Sequence, residues 1–332
     1  ILVSLAVDSH EADPLTVGAW LADLADAATR AVMRLACREL GLPDDFPLVA
    51  LAMGKHGSRE MGLVSDLDMV FVLDCEDVGG MLGRRSMGEH AQRLGRRIIH
   101  YLSSRPPFGA GFDFDARLRP SGGSGALVTS LDGFRDYQLH QAQTWEHQAL
   151  CRARAVAGPR ASCEALKAVV GEVLDLPRDM KALAADVVGM RKKMLQHLAS
   201  KRPGIINLKQ DEGGLVDIEF LAQFARLAFG TVRGVSARGT VEILRQLEYA
   251  DVPEAWRQAG PGLAATYLDY RQMENALRVQ LWRSIGRLPA DAAATEWETM
   301  RRHAAIHAPD ALKARMQQVH EQFRQLLDET SG

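Results

Sequence analysis

From Leu15 to Leu40 the apolar residues Trp20, Leu21, Leu24, Ala27, Ala28, Ala31 and Leu35 recur at steps of three and four, which is the period of one helix face. Gly41 and Pro43 follow and end the run, so this stretch predicts a leading amphipathic helix. Two short apolar runs come next, PLVALAMG and LDMVFVLD, each bounded by turn residues. Their length and β-branched content predict buried strands. Between them, GSREMG leaves room for a turn or one helical turn. Residues Glu89 to Leu102 set Leu94, Ile98, Ile99 and Leu102 against Arg93, Arg96 and Arg97, a helix with a basic outer face.

The segment GFDFDARLRP alternates strictly. Read as a strand, it places Asp113, Asp115, Arg117 and Arg119 on one face and Phe112, Phe114, Ala116 and Leu118 on the other. A PSGGSG turn, a helix around LDGFRDYQLHQ and a short strand CRARAVAG complete this part. From Ser162 onward the strand signals stop, and segments such as VDIEFLAQFARLAF and YLDYRQMENALRVQLW carry helical spacing, separated by Pro or Gly. The expected organisation is α+β: a leading helical segment over 1–44, a mixed sheet with helices over 45–158, and an all-helical domain over 159–332. The break falls near Gly158 and Pro159.

Composition narrows the class. With 332 residues, 47% hydrophobic and 25% charged, the chain has the makeup of a globular protein with room for two cores. It is not disordered, fibrous or membrane-spanning in composition. A formal net charge of -2 argues against broad nucleic-acid binding, which calls for a basic domain or face. Cys37, Cys75, Cys151 and Cys163 lack the close spacing of a zinc or redox motif, so reduced thiols and a cytoplasmic setting are expected. The opening ILVSLAVDSH lacks a basic leader and does not read as a signal peptide. Because the chain begins at Ile1, it is expected to be a segment of a longer polypeptide.

The chemistry concentrates between Met53 and Asp74, MGKHGSREMGLVSDLDMVFVLD. Residues two apart on a strand point the same way, so Asp66 and Asp68 present carboxylates to one point. Asp115, inward on a neighbouring strand, completes an all-oxygen set suited to one or two hard cations such as Mg²⁺ or Mn²⁺. The Gly57-Ser58 turn lets backbone approach a phosphate, with donors from the following turn.

Taken together these motifs resemble the nucleotidyltransferase signature of the DNA polymerase β superfamily. More narrowly, GKHGSREMGLVSDLDMVF, FDFDARLRPSGGSGALVTS, DYQ, TWEHQALCRARAVAG and DEGGLVDIEFLAQF are similar to glutamine synthetase adenylyltransferase, a two-headed enzyme family of bacterial nitrogen control. The resemblance is strongest from Leu51 to Gly158 and weak beyond Gly230. TWEHQALCRAR and DEGGLVDIEF look like the AMP-attaching, C-terminal half; the AMP-removing half tends to carry an Arg after the Trp-Glu pair and lacks the Asp-Glu before the glycines.

The resemblance implies a polymerase β-like fold, ATP as substrate, glutamine synthetase as protein substrate and a PII-type signalling protein as regulator. Asp66, Asp68 and Asp115 are then the catalytic acids and metal ligands. Gly57, Ser58, Lys55, Ser65, Arg117 and Arg119 are candidates for holding the nucleotide. For the two arginines a second reading stays open, pairing with the acids themselves. In DEGGLVDIEF, Asp211 or Glu212 is read as a cap of the following helix, the paired Gly213 and Gly214 as a close backbone approach or hinge, and Asp217 and Glu219 as candidates for an active-site wall. Trp145, Glu146 and His147 stand between a core cluster and a substrate groove. Phosphorolytic removal of AMP, and a PII-docking module without catalysis, are the alternative functions.

Overall fold

A computed structural model describes residues 13–104, 111–120, 122, 125–200, 202–281 and 287–331. The ILVSLAVDSH opening and residues 121, 123 and 124 of the PSGGSG turn lie outside the described residues. Two compact units emerge, one formed by Ala19–Met61 with Ser65–Leu174, the other mainly by Asp175–Gly332.

The first unit is built on a mixed sheet. Its elements are helix α1 (Pro14–Leu40), strand β1 (Leu48–Ala52), the single turn α2 (Gly54–Gly57), β2 (Leu67–Leu73), a small hairpin β3 (Met81–Leu82) and β4 (Arg85–Ser86), and α3 (Met87–Ser103). There follow β5 (Phe114–Asp115), β6 (Val128–Ser130), α4 (Leu131–His140), α5 (Thr144–Leu150), β7 (Arg154–Ala157) and α6 (Arg160–Leu174). Strand β1 pairs antiparallel with β2 on one side and β7 on the other. The far edge of β2 is shared: its start pairs parallel with β5 and its end parallel with β6.

Both faces of β1 and β2 are buried, which explains their continuous apolar runs. Leu48, Ala50, Ala52, Leu67, Met69, Phe71 and Leu73 form a core with Ala22, Ala25, Met33, Ala36 and Cys37 of α1 and Ala91, Leu94, Ile98 and Leu102 of α3. The alternate residues Val49, Leu51, Val70 and Val72 are buried on the opposite face, where α4 packs on β2 and α6 on β1. The leading helix is therefore part of this core from Ala19 on, and the unit runs past Gly158 and Pro159 to Leu174.

The expected strand GFDFDARLRP is corrected to two residues. The Arg117 N–H donates to Asp115 Oδ1 at 2.8 Å, a turn that an aspartate stabilises by accepting from the backbone two residues on. Residues 117–120 leave the strand direction there. Alternation in sequence survived, but the aspartate side chain offered the backbone a better partner than another strand.

The second unit contains α7 (Met180–Leu198), β8 (Ile205–Asn207), α8 (Leu215–Phe229), α9 (Thr240–Gln246), α10 (Glu254–Leu281), β9 (Arg287–Pro289), α11 (Thr295–His303) and α12 (Pro309–Ser331). It is helical apart from the antiparallel pair β8–β9, whose three-residue strands are too short to show a period. None of the described helices is long and apolar enough to cross a membrane.

Gly213 sits at φ +72, and a Cβ there would stand 1.7 Å from the Met316 carbonyl oxygen of α12. A Cβ on Gly214 would stand 2.5 Å from the Leu208 carbonyl oxygen. The paired glycines thus serve a close backbone approach within this unit. Gly213→Ala is expected to destabilise the helical unit by about 3 kcal/mol, from left-handed strain plus displacement of α12, read as a lower denaturant midpoint for that unit.

Candidate active site

The packing of Phe114 against the core sets the site. Its ring stacks on Phe71, with centroids 6.0 Å apart and planes 6° from parallel, on the side of the sheet that carries the α1–α3 core. A strand alternates faces, so Asp115 must point the other way. Asp68 shares that face with Val70 and Val72, and β2–β5 register puts Asp68 directly against Asp115. Asp66, one residue before β2, joins them, and one carboxylate oxygen from each of the three acids lies within 4.8 Å of the others.

Three carboxylates at this spacing repel, and the donor set is all oxygen. That fits a hard divalent cation such as Mg²⁺ or Mn²⁺. The structure places one counter-charge there already. Arg117 forks onto Asp115, Nε reaching Oδ1 at 3.1 Å and Oδ2 at 2.9 Å, and Nη2 reaching Oδ2 at 2.5 Å. These hydrogen bonds outweigh the opposing effect of burial and hold the Asp115 carboxyl below the usual range. The same contact raises Arg117, helped by the charges of Asp68 and Asp66.

Gly54, which sequence reasoning passed over, makes room for this arrangement. It has φ +51, and a Cβ would sit 2.4 Å from Asp68 Oδ2. Next to it the Met53 N–H donates to the Asp68 carbonyl at 2.8 Å, tying the entry of α2 to the head of β2. The signal was the glycine itself, since GKHG opens directly after an apolar strand.

The Gly57-Ser58 turn is held from beneath. A Cβ on Gly57 would lie 1.9 Å from the Arg152 carbonyl oxygen. The Ser58 hydroxyl donates to Glu60 Oε2 at 2.9 Å and accepts from Arg152 Nε at 3.1 Å, and Arg152 Nη2 donates to Glu60 Oε2 at 2.6 Å. Beside this group, Asp26 of α1 meets His56 Nε2 at 2.8 Å and Arg154 Nη1 at 2.6 Å. Arg154 also donates to the carbonyls of Gly57 and His56, both at 3.2 Å. Burial acts to raise the Asp26 carboxyl, but the bonds from His56 and Arg154 prevail and lower it. Arg152, Arg154, Glu60, His56 and Asp26 went unassigned in the sequence, because their partners lie as far apart as 128 positions.

The other expected residues fall as follows. Lys55 lies within α2, half-buried, and its carbonyl accepts from the Glu60 N–H at 2.8 Å. Ser65 directly precedes Asp66. Arg119 turns back on its own loop, donating to the Ala116 carbonyl at 2.7 Å and the Gly125 carbonyl at 3.2 Å. Glu146 accepts from the Tyr137 hydroxyl at 2.8 Å and the Gln143 N–H at 2.9 Å, and His147 meets the Gln138 carbonyl at 2.8 Å. The Trp145 indole donates to Gln143 at 3.0 Å.

In the helical unit, Asp217 is buried against Arg191 and accepts from the Gly213 N–H at 2.6 Å. Glu219 accepts from the Tyr267 hydroxyl at 3.0 Å. Asp211 orders the preceding loop by accepting from the Ser200 and Asn207 N–H groups, each at 2.7 Å. Neither Asp211 nor Glu212 caps α8, whose N-cap is Gly214.

A mixed sheet with helices, carrying an acid triad at the head of its central strand, belongs to the α+β nucleotidyltransferase class. Residues 11–168 match the family model described as glutamate-ammonia ligase adenylyltransferase. Residues 178–329 match that of GlnD PII-uridylyltransferase. The bifunctional glutamine synthetase adenylyltransferase/adenylyl-removing enzyme of Methylococcus capsulatus is 38% identical over 303 residues, covering 85% of this chain and 31% of the relative. Its counterpart from Pseudomonas aeruginosa is 41% identical over 244 residues, 65% of this chain and 24% of the relative. The chain is thus similar to the glutamine synthetase adenylyltransferase family over most of its length, and it spans about a third or less of the length of these relatives.

Two measurements follow from this geometry. Carboxyl NMR should titrate Asp115 below the ordinary value of about 3.9, and Arg117→Ala should move it upward. The pair's contribution to stability is complete above about pH 4 and is lost as pH falls through the depressed value; an unmoved Asp115 would contradict this. Glu60→Ala strips a carboxylate from the buried Arg152 and is expected to cost on the order of 3 kcal/mol in denaturation.

Proposed function

We propose that this chain transfers AMP from ATP to a tyrosine hydroxyl of glutamine synthetase, as the attaching half of a two-headed enzyme of the cytoplasm. The observation that carries the reading is the meeting of Asp66, Asp68 and Asp115 within a chain similar to this family. Support for the attaching half comes from the motifs TWEHQALCRAR and DEGGLVDIEF.

In this reading Asp66, Asp68 and Asp115 hold the divalent cations, which when bound neutralise phosphate charge and stabilise the oxygens exchanged at phosphorus. Asp115 receives the proton of the attacking tyrosine or orients its oxygen; a hydroxyl with a pKa near about 10 needs such help at neutral pH. The α2 turn, with Gly57, Ser58, Lys55 and Ser65, forms the phosphate-facing wall. Arg119 braces the loop that follows Asp115, and Arg117 supplies a fork matched to phosphate oxygens. The helical unit is assigned contact with a PII-type signalling protein, on the strength of its match to the PII-uridylyltransferase model.

The test is to incubate the chain with unmodified glutamine synthetase, Mg²⁺ and α-labelled ATP. Label is expected on a synthetase tyrosine, and Asp66→Asn, Asp68→Asn or Asp115→Asn is expected to lower the rate at least about 10³-fold with the fold retained. No transfer by the unsubstituted chain, or full activity in the three variants, would refute the assignment. Orthophosphate-dependent release of AMP from modified synthetase would instead identify the removing activity.

A further inference from the structure

Both oxygens of Asp115 are engaged by Arg117. Three N–H groups, the backbone N–H, Nε and Nη2, make four contacts with it, two on each oxygen, against the roughly four lone-pair positions of a carboxylate. A cation taking either oxygen therefore competes with one of these donors. The backbone donor is fixed by the turn, whereas the Arg117 side chain is 82% exposed and turns away without disturbing the core. The opposing group is different: the Asp115 carboxylate is only 17% exposed and stays where β2–β5 pairing puts it.

We propose that Arg117 is a displaceable counter-ion, covering Asp115 while the acid site is empty and transferring its guanidinium to nucleotide phosphate when the site is loaded. This rests on the acid-site reading given above and assigns Arg117 two successive partners. Three acids and one guanidinium leave the cluster with two excess negative charges, so the apo site keeps its attraction for a divalent cation. The exchange then conserves charge pairing at both ends, because phosphate presents the same two-oxygen edge to the fork that Asp115 does. As a positioning residue Arg117 would link metal binding to nucleotide binding: each makes the other easier, since the cation frees the guanidinium and the phosphate keeps it away.

The experiment is a Mn²⁺ titration of the full chain by electron paramagnetic resonance, without nucleotide, for the unsubstituted protein, Arg117→Ala, Arg117→Lys and Asp66→Asn. Arg117→Ala is expected to bind Mn²⁺ about tenfold more tightly, because no guanidinium has to leave, and Arg117→Lys to fall between. With a non-hydrolysable ATP analogue present, the order reverses: Arg117→Ala should bind the nucleotide about tenfold more weakly. Mn²⁺ affinity that is unchanged or weaker in Arg117→Ala, while Asp66→Asn abolishes binding, overturns the counter-ion role and leaves the acid site standing. Unchanged nucleotide affinity overturns the transfer to phosphate. Mn²⁺ binding indifferent to Asp66→Asn removes both the inference and the acid-site reading beneath it.

Discussion

Two arginines, Arg152 buried beside β7 and Arg154 partly buried within it, hold the first unit's functional end together. Arg152 takes Glu60 and Ser58, Arg154 takes Asp26, and His56 closes on the same aspartate. A buried charge costs several kcal/mol unless it is paired and hydrogen-bonded, so these groups are tolerable only in one joint arrangement. That arrangement joins α1, the α2 turn and β7, three pieces far apart in sequence. From the α2 turn the hold passes to the head of β2 through the Met53 to Asp68 backbone bond.

The triad is stabilised by its surroundings against its own chemistry. Crowded carboxylates at the end of an apolar strand oppose folding through mutual repulsion. The Phe71–Phe114 stack works against that repulsion by packing two aromatic faces together at the core, and Arg117 lowers it directly. The site is thus held on the side of the sheet by the β2–β5 pairing, while the Arg117 side chain that covers it from the other side is 82% exposed.

The helical unit repeats the device of a buried ion pair at a backbone turn. Asp217 accepts from Arg191 and from the Gly213 N–H, while Arg191 also donates to the carbonyls of Gln210 and Asp211, each at 3.0 Å. DEGGLVDIEF is therefore a folding motif of that unit as much as a family signature: its acids organise the turn, Gly213 admits α12, and Gly214 leaves room for the carbonyls of the preceding loop. Such a motif resists substitution for reasons of packing alone, which separates its specificity as a marker from any direct part in catalysis.

The sequence by itself determined the apolar strands β1 and β2, the existence of the leading helix, the helical character beyond Ser162 and the three acids, because each is written locally. The face of that helix is corrected, since Trp20, Leu24 and Leu35 of the expected apolar face are exposed while Ala22, Ala25, Met33, Ala36 and Cys37 are buried. Only the tertiary structure decided what those residues meet. Asp115 faces Asp68 because Phe114 stacks on Phe71, and the strand around it stops early because Arg117 and its backbone N–H claim the aspartate. Gly54 proved to be the glycine against Asp68, while Gly57 packs on the Arg152 carbonyl. The leading helix joins the sheet's core through Ala22, Ala25, Met33, Ala36 and Cys37, and on it Asp26 meets Arg154 across 128 positions. Local patterning records the period of a segment, and a buried charge records its partner only when the chain has closed around it.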